Sequence, residues 1–218
     1  MPTELIAHRG MPRLARENTL TSFELALQAG ADAIELDVHM SADARVVVHH
    51  DPELGENDGR LLADLTATEL ARLGIPTLDD VCDLVGKRLT LYVEAKGARS
   101  AAAIVECLTA NDVIAAVHSF DAGVIEAVRG MSPGLPLGLL VSDSATDAAL
   151  LARQHAVRDV WPAFEAIDTR LVERVHEAGA RVIAWTVNDA AAARRLQELG
   201  VDGICTDDVR ALRAALRS

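Results

Sequence analysis

The chain is short of cysteine, of lysine and of uninterrupted apolar sequence. Each shortage removes a class of protein. Its 218 residues contain three cysteines, Cys82, Cys107 and Cys205, far apart and with no C-x-x-C. That argues against a disulfide framework and a cysteine-built zinc site, and reads as buried thiols in a reducing compartment. Lysine is confined to Lys87 and Lys96 among 21 basic residues, and the formal net charge is -12. Without a basic run, no nucleic-acid partner is expected. An anionic membrane surface is not an expected partner, for the same reason. No apolar run approaches the roughly 20 residues of a membrane span, so no stable membrane association is expected. The opening "MPTELIAHRG" has neither the basic nor the apolar region of a secretory signal, which makes a cytoplasmic location the expectation. No linker, low-complexity tract or short repeat divides the chain, so residues 1–218 read as a single domain.

What is present is a rhythm. Apolar runs at 5–8, 33–38, 89–96, 114–119, 137–141, 157–161, 181–187 and 203–206 read as strands. Ala-rich stretches at 20–29, 78–84, 101–108, 122–129, 146–154, 169–178, 190–199 and 209–216 read as helices. Gly30, Gly179 and Gly200 stand where helices end, and Thr19, Asp121, Asp168, Asp189 and Asp207 where they start. Strands alternating with helices imply parallel pairing, and eight such units imply an α/β fold, the (β/α)8 TIM barrel. A doubly wound open sheet is the alternative, weakened because no G-x-G-x-x-G follows the first strand. One segment breaks the rhythm. "RVVVHHD" reads as an extra strand hairpinned on the second, and "DLTATELARL" as a small helix. Together they form a short insertion after the second strand, about residues 45–75, at the barrel's C-terminal mouth.

Alternation within strands picks out a site. In "IELDV", Ile34, Leu36 and Val38 share one face, and Glu35 and Asp37 the other. In "LTLYVEAKG", Tyr92, Glu94 and Lys96 share a face. Barrel active sites gather at the C-terminal strand ends. His8, Arg9, Glu35, Asp37, Glu94 and Lys96 therefore converge from three strands. Three enclosed carboxylates repel one another and lose hydration, and one divalent metal relieves both penalties. An all-oxygen set suits Mg²⁺ or Ca²⁺ better than Zn²⁺. Histidines to move protons, with Arg9 and Lys96 to hold an anion, describe phosphate-ester chemistry.

The motifs "HRG" at 8–10, "ENT" at 17–19, "ELDVHMSADARVVVHHD" at 35–51, "PTLDDV" at 76–81, "VEAKG" at 93–97, "SFD" at 119–121, "WTVN" at 185–188 and "DGICTD" at 202–207 follow in order. Together they resemble the glycerophosphodiester phosphodiesterases over residues 8–207. The resemblance implies a TIM barrel with one divalent cation, Mg²⁺ or Ca²⁺ with Mn²⁺ as a third candidate. It implies a small-molecule glycerophosphodiester substrate, cut to sn-glycerol 3-phosphate and an alcohol. By match, Glu35, Asp37 and Glu94 are the metal ligands, His8 and His50 the acid–base pair, and Arg9 and Lys96 the phosphate contacts. Trp185 reads either as core filler or as a wall for the glycerol backbone. His118, ending the fourth expected strand, can reach the site, whereas His49 reads as structural. Three departures stand out: Arg16 where the family usually has Pro before "ENT", Asp208-Val209 where it often has an aromatic and Pro, and a shorter segment than usual between His50 and "PTLDDV". Other readings are a lyase that forms a Schiff base on Lys96, a barrel that binds without catalysis, and action on a lysophospholipid.

Overall fold

The structure, a computed structural model, describes residues 3–55, 58–143 and 145–217. Met1, Pro2, Glu56, Asn57, Ser144 and Ser218, which belong to the expected domain and its insertion, lie outside the described residues.

The strands are β1 (Glu4–His8), β2 (Ala33–Met40), β3 (Val46–Val48), β4 (Thr90–Ala95), β5 (Ala115–Ser119), β6 (Leu137–Val141), β7 (Asp159–Pro162), β8 (Arg181–Ala184) and β9 (Gly203–Thr206). The helices are α1 (Leu20–Gln28), α2 (Ala67–Arg72), α3 (Leu78–Val85), α4 (Ala101–Ala110), α5 (Ala122–Met131), α6 (Ala148–Gln154), α7 (Thr169–Glu177), α8 (Ala190–Leu199) and α9 (Val209–Leu216). Every strand except β3 pairs in parallel, in the order β1–β9–β8–β7–β6–β5–β4–β2. Pairing of β1 with β2 closes that sheet into the expected eight-stranded barrel. β3 runs antiparallel on the end of β2, with Val38 opposite Val48 and Met40 opposite Val46. It begins the insertion, whose Val47, Leu62, Leu65, Leu70 and Ile75 bury one another in a small separate cluster. Arg16 donates to the Leu73 carbonyl (3.0 Å), tying the loop before α1 to the end of the insertion helix. Among the described residues, no helix is long and apolar enough to cross a membrane.

Helix starts follow local chemistry. Thr19, Asp121, Asp168 and Asp189 cap α1, α5, α7 and α8, as expected. "PTLDD" is a capping box: Thr77 accepts from the Asp80 amide, and the Asp80 carboxylate accepts from the Thr77 amide. Asp207 does not cap α9, contrary to expectation. Asp208 accepts from the Ala211 amide instead, which leaves the Asp207 carboxylate for another partner. β8 ends at Ala184, short of the expected 187, and Trp185 makes only a single isolated bridge, to Ala163 just after β7.

The alternation read from sequence sorts side chains as the barrel requires. Ile34, Leu36 and Val38 point outward and share the main core with Phe23 of α1 and with Leu78 and Val81 of α3. Inside the barrel, Ile6, Ala33, Tyr92, Ala116, Leu140, Trp161, Ile183 and Cys205 form a dry middle layer. Below it lies an ionic floor. Arg158 grips both oxygens of Asp159 (2.6–3.1 Å), Arg181 donates to Glu4 (2.7 Å), and the Tyr92 hydroxyl donates to the same Glu4 oxygen (2.9 Å). Asp159 is fully buried, so its charge depends on those arginines and they on it. Removing one partner of a buried pair leaves an uncompensated charge and costs about 3 kcal/mol or more. Asp159→Ala is therefore expected to lower unfolding free energy by about 3 kcal/mol in urea titrations, without altering chemistry at the opposite end. A loss within about 0.5 kcal/mol would mean that the floor is not a structural element.

Candidate active site

A cavity of about 220 Å³ opens at the C-terminal strand ends. Strand register explains why its polar groups meet. His8 is level with Glu35, Asp37 with Glu94, and Glu94 with His118 across β1, β2, β4 and β5. These inward positions stand one step above the dry layer, where apolar side chains give way to charged ones.

Asp37 is completely buried and has three partners. Arg9 Nε lies 2.9 Å from its Oδ2, Lys96 Nζ lies 2.7 Å from its Oδ1, and Asn18 Nδ2 donates to its Oδ2 (2.8 Å). Burial disfavours the charge, but Arg9 and Lys96 outweigh it and hold the carboxyl down at about 2. "HRG" and "ENT" serve this arrangement. Arg9 and Asn18 both adopt positive φ (53° and 55°), which turns the chain sharply after β1 and again before α1. Gly10 follows at φ 89°, where an added Cβ would lie 2.4 Å from Ser22 Oγ, so the turn demands glycine. Glu17 accepts from Arg9 (2.9 Å), Asn18 holds Asp37, and Thr19 caps α1. Each letter of "ENT" thus has a separate task.

Glu35, Glu94 and His118 form the second part of the site. All three are buried, and one donor atom from each lies within 4.8 Å of the others. Burial pushes the Glu94 carboxyl up to about 7; His118 and Lys96 oppose that rise, while Asp37 and Glu35 reinforce it. Lys96 donates to Glu94 (2.6 Å) as well as contacting Asp37, and those carboxylates, working against burial, hold its ammonium above the usual range. Once Glu94 has lost its proton, three carboxylates face only two cations, Arg9 and Lys96, in an enclosed space. His118 lines the same space, and its Nε2, 3.6 Å from Glu35 Oε1, has no hydrogen-bond partner among the described residues. This donor set fits a divalent metal ion.

The two acid–base candidates are each backed by a carboxylate. His8 Nδ1 meets Asp207 Oδ1 at 2.7 Å. Asn188 donates to the other Asp207 oxygen (2.6 Å) and accepts from the Asp207 amide (3.0 Å). Burial pulls the His8 pKa down, but Asp207 and Glu35 together raise it above the ordinary value. His50 Nδ1 meets Asp51 Oδ1 at 2.8 Å, and His39 Nε2 contacts the His50 carbonyl at 2.9 Å. Both rings therefore keep Nε2 for the cavity, which both residues line. His49 turns to the Asp51 carbonyl instead. Trp185 is both packed against its neighbours and part of the cavity lining. Its indole donates to the Trp161 carbonyl (2.7 Å), and its ring borders the cavity edge-on to Phe120, 5.6 Å away.

His8, Arg9, Glu35, His50, Glu94, Lys96 and Trp185 all line this cavity, with Asp37 directly beneath Arg9 and Lys96. Sequence reading overlooked Asn18, Glu17, Asn188 and the partnership of Asp207 with His8. It named His118 only as able to reach the site. The signal for His118 was available, because it shares strand parity with inward Ala116 in "AAVHS".

Comparison with known proteins agrees with this geometry. Residues 8–211 match the model of the glycerophosphoryl diester phosphodiesterase family. A glycerophosphodiester phosphodiesterase of Caldanaerobacter subterraneus subsp. tengcongensis is 31% identical over 237 residues, covering 97% of each chain. A phosphodiesterase of Oleispira antarctica, solved in complex with the product sn-glycerol-3-phosphate, superposes with a TM-score of 0.91 at 26% identity, covering 100% of this chain and 98% of that one. The glycerophosphodiester phosphodiesterase of Thermotoga maritima gives a TM-score of 0.87 at 25% identity, covering 98% of each.

The raised Glu94 carboxyl has a measurable consequence. Folded Glu94 keeps a proton to about pH 7, whereas the unfolded chain releases it near its ordinary value of 4.5. Stability of the metal-free protein therefore falls as pH rises from about 5 to 8. Urea unfolding in EDTA at pH 5 and pH 8 is expected to show this fall in the parent and a smaller one in Glu94→Gln. Equal falls in both would sink the burial account.

Proposed function

Because the chain belongs to the glycerophosphoryl diester phosphodiesterase family, we propose that this barrel mouth hydrolyses glycerophosphodiesters to sn-glycerol 3-phosphate and an alcohol. The protein is a hydrolase, and its substrate is a small molecule. The observation that carries the reading is the joint presence, in one cavity, of two histidines each held at Nδ1 by a carboxylate, two cations and the Glu35–Glu94–His118 cluster, whose donor atoms could hold a metal ion. The family match and the product-bound Oleispira relative support it.

Glu35, Asp37 and Glu94 are the proposed holders of one divalent cation. When bound, that cation supplies positive charge against the non-bridging phosphate oxygens. Arg9 and Lys96 extend the same field from the protein side, Arg9 as a fork already aimed by Glu17 and Asp37, Lys96 as a point charge. Of His8 and His50, one removes the proton from the nucleophile, water or the glycerol 2-hydroxyl, and the other protonates the departing alcohol oxygen; where the 2-hydroxyl attacks, water then opens the cyclic phosphate to sn-glycerol 3-phosphate. Asp207 and Asp51 fix their tautomers by occupying Nδ1. Trp185 and Phe120 form the apolar wall against which the glycerol carbons rest.

Lys96 is poorly suited to the lyase reading. A Schiff-base lysine needs a lowered pKa, and here two carboxylates hold the amine protonated.

The direct test measures sn-glycerol 3-phosphate released from glycerophosphocholine, glycerophosphoethanolamine and glycerophosphoglycerol, with Mg²⁺, Ca²⁺, Mn²⁺ or EDTA. Release is expected with metal and not with EDTA. His8→Ala and His50→Ala should each lower kcat by about 10²–10⁴-fold while metal binding persists. Asp207→Asn should lower kcat less than His8→Ala does and leave KM nearly unchanged. Absence of release from any substrate with any metal, in folded protein, would refute the assignment.

A further inference from the structure

His118 has no ordinary reason to be where it is. It is 1% exposed, and neither ring nitrogen has a hydrogen-bond partner among the described residues. Buried polar atoms without partners are rare, and each calls for an explanation. Nε2 lies 3.6 Å from Glu35 Oε1, too far for a hydrogen bond yet aimed at the carboxylate cluster. The ring cannot easily turn elsewhere. It is stacked on Trp161 with 4.5 Å between centroids and 9° between planes, while Tyr92 meets it edge-on at 6.4 Å. Gly138 on the neighbouring strand makes room for that stack, since a Cβ there would lie 3.0 Å from Trp161 Nε1 and 3.2 Å from His118 Cβ. The imidazole is therefore held in advance of any ligand, pointing at a space bounded by Glu35 and Glu94.

We propose that His118 supplies a nitrogen ligand to the cation at this site, and that the site prefers a first-row transition dication such as Mn²⁺ or Co²⁺ over Mg²⁺ or Ca²⁺. The inference rests on reading Glu35 and Glu94 as metal ligands. The three donor atoms lie within 4.8 Å of one another, and donors around one cation with bonds of about 2.0–2.4 Å cannot be much farther apart. An oxygen-only set favours the hard cations expected from sequence. One imidazole changes that ranking, because nitrogen binds Mg²⁺ and Ca²⁺ poorly and transition ions well. Nε2 coordinates, and Trp161 sets the plane of the ring.

Pulsed electron paramagnetic resonance on the Mn²⁺-loaded protein reads directly coordinated ¹⁴N without reference to turnover. A coupling is expected in the parent and its loss in both His118→Gln and His118→Ala. Gln keeps most of the volume beside Trp161, so a folded variant is available should Ala disturb packing. Calorimetry should show Mn²⁺ affinity lowered about tenfold or more in His118→Gln, with Ca²⁺ affinity little changed. Mn²⁺ bound with no nitrogen coupling in the parent, or a coupling that survives both substitutions, would overturn the inference and leave the carboxylate site standing. Failure of folded parent protein to bind Mn²⁺, Mg²⁺ or Ca²⁺ would instead overturn the metal reading beneath it.

Discussion

Asp37 sits in the middle of the barrel mouth with none of its surface exposed, and it is ionised. A lone carboxylate there would simply take up a proton. Arg9, Lys96 and Asn18 prevent that, and the demands of holding them reach far into the local structure. Arg9 reaches Asp37 because the chain turns at positive φ directly after β1, and Gly10 must follow for the turn to clear Ser22. Asn18 reaches it by a second positive-φ turn directly before α1. Lys96 comes from the end of β4, whose register puts Glu94 level with Asp37. The loop after β1, the start of α1 and the end of β4 are thus committed to one buried charge. The same commitment places Arg9 and Lys96 in the lining of the mouth cavity.

The two ends of the barrel use charge differently. At the floor, acid and base match closely: Asp159 with Arg158, Glu4 with Arg181, and the Tyr92 hydroxyl bridging toward both sides. Among the described residues each of these charged groups has a partner, and the result is a seal. At the mouth the account does not balance. Glu94 is driven toward protonation, and His118 has unmatched nitrogens. Between the two lies the dry layer around Tyr92 and Trp161. That layer keeps the lower network from reaching up to neutralise the upper one. Imbalance held in place by a rigid scaffold is what a binding site needs, because the missing charge can be supplied only by a ligand.

How far the sequence discloses this depends on the range of the interaction. Strand alternation is local, and the inward set of Glu35, Asp37, Glu94 and Lys96 was legible from parity alone. Helix ends were legible because capping acts over about three residues. Pairings across the closed barrel were not. His8 and Asp207 are 199 positions apart and meet only because β1 pairs with β9. From sequence, Asp207 has a ready local role as a helix cap, and nothing nearby says that Asp208 takes it. Asn188 is hidden in the same way, since it acts on His8 only through Asp207. His118 carried the right parity. What sequence could not show is that its neighbours, Trp161 and Gly138, pin the ring without offering a hydrogen bond. A histidine whose partners satisfy it and a histidine left unsatisfied look identical in one dimension. The difference lies wholly in what the next two strands bring beside it, and that is where the chemistry of this mouth departs from an oxygen-only site.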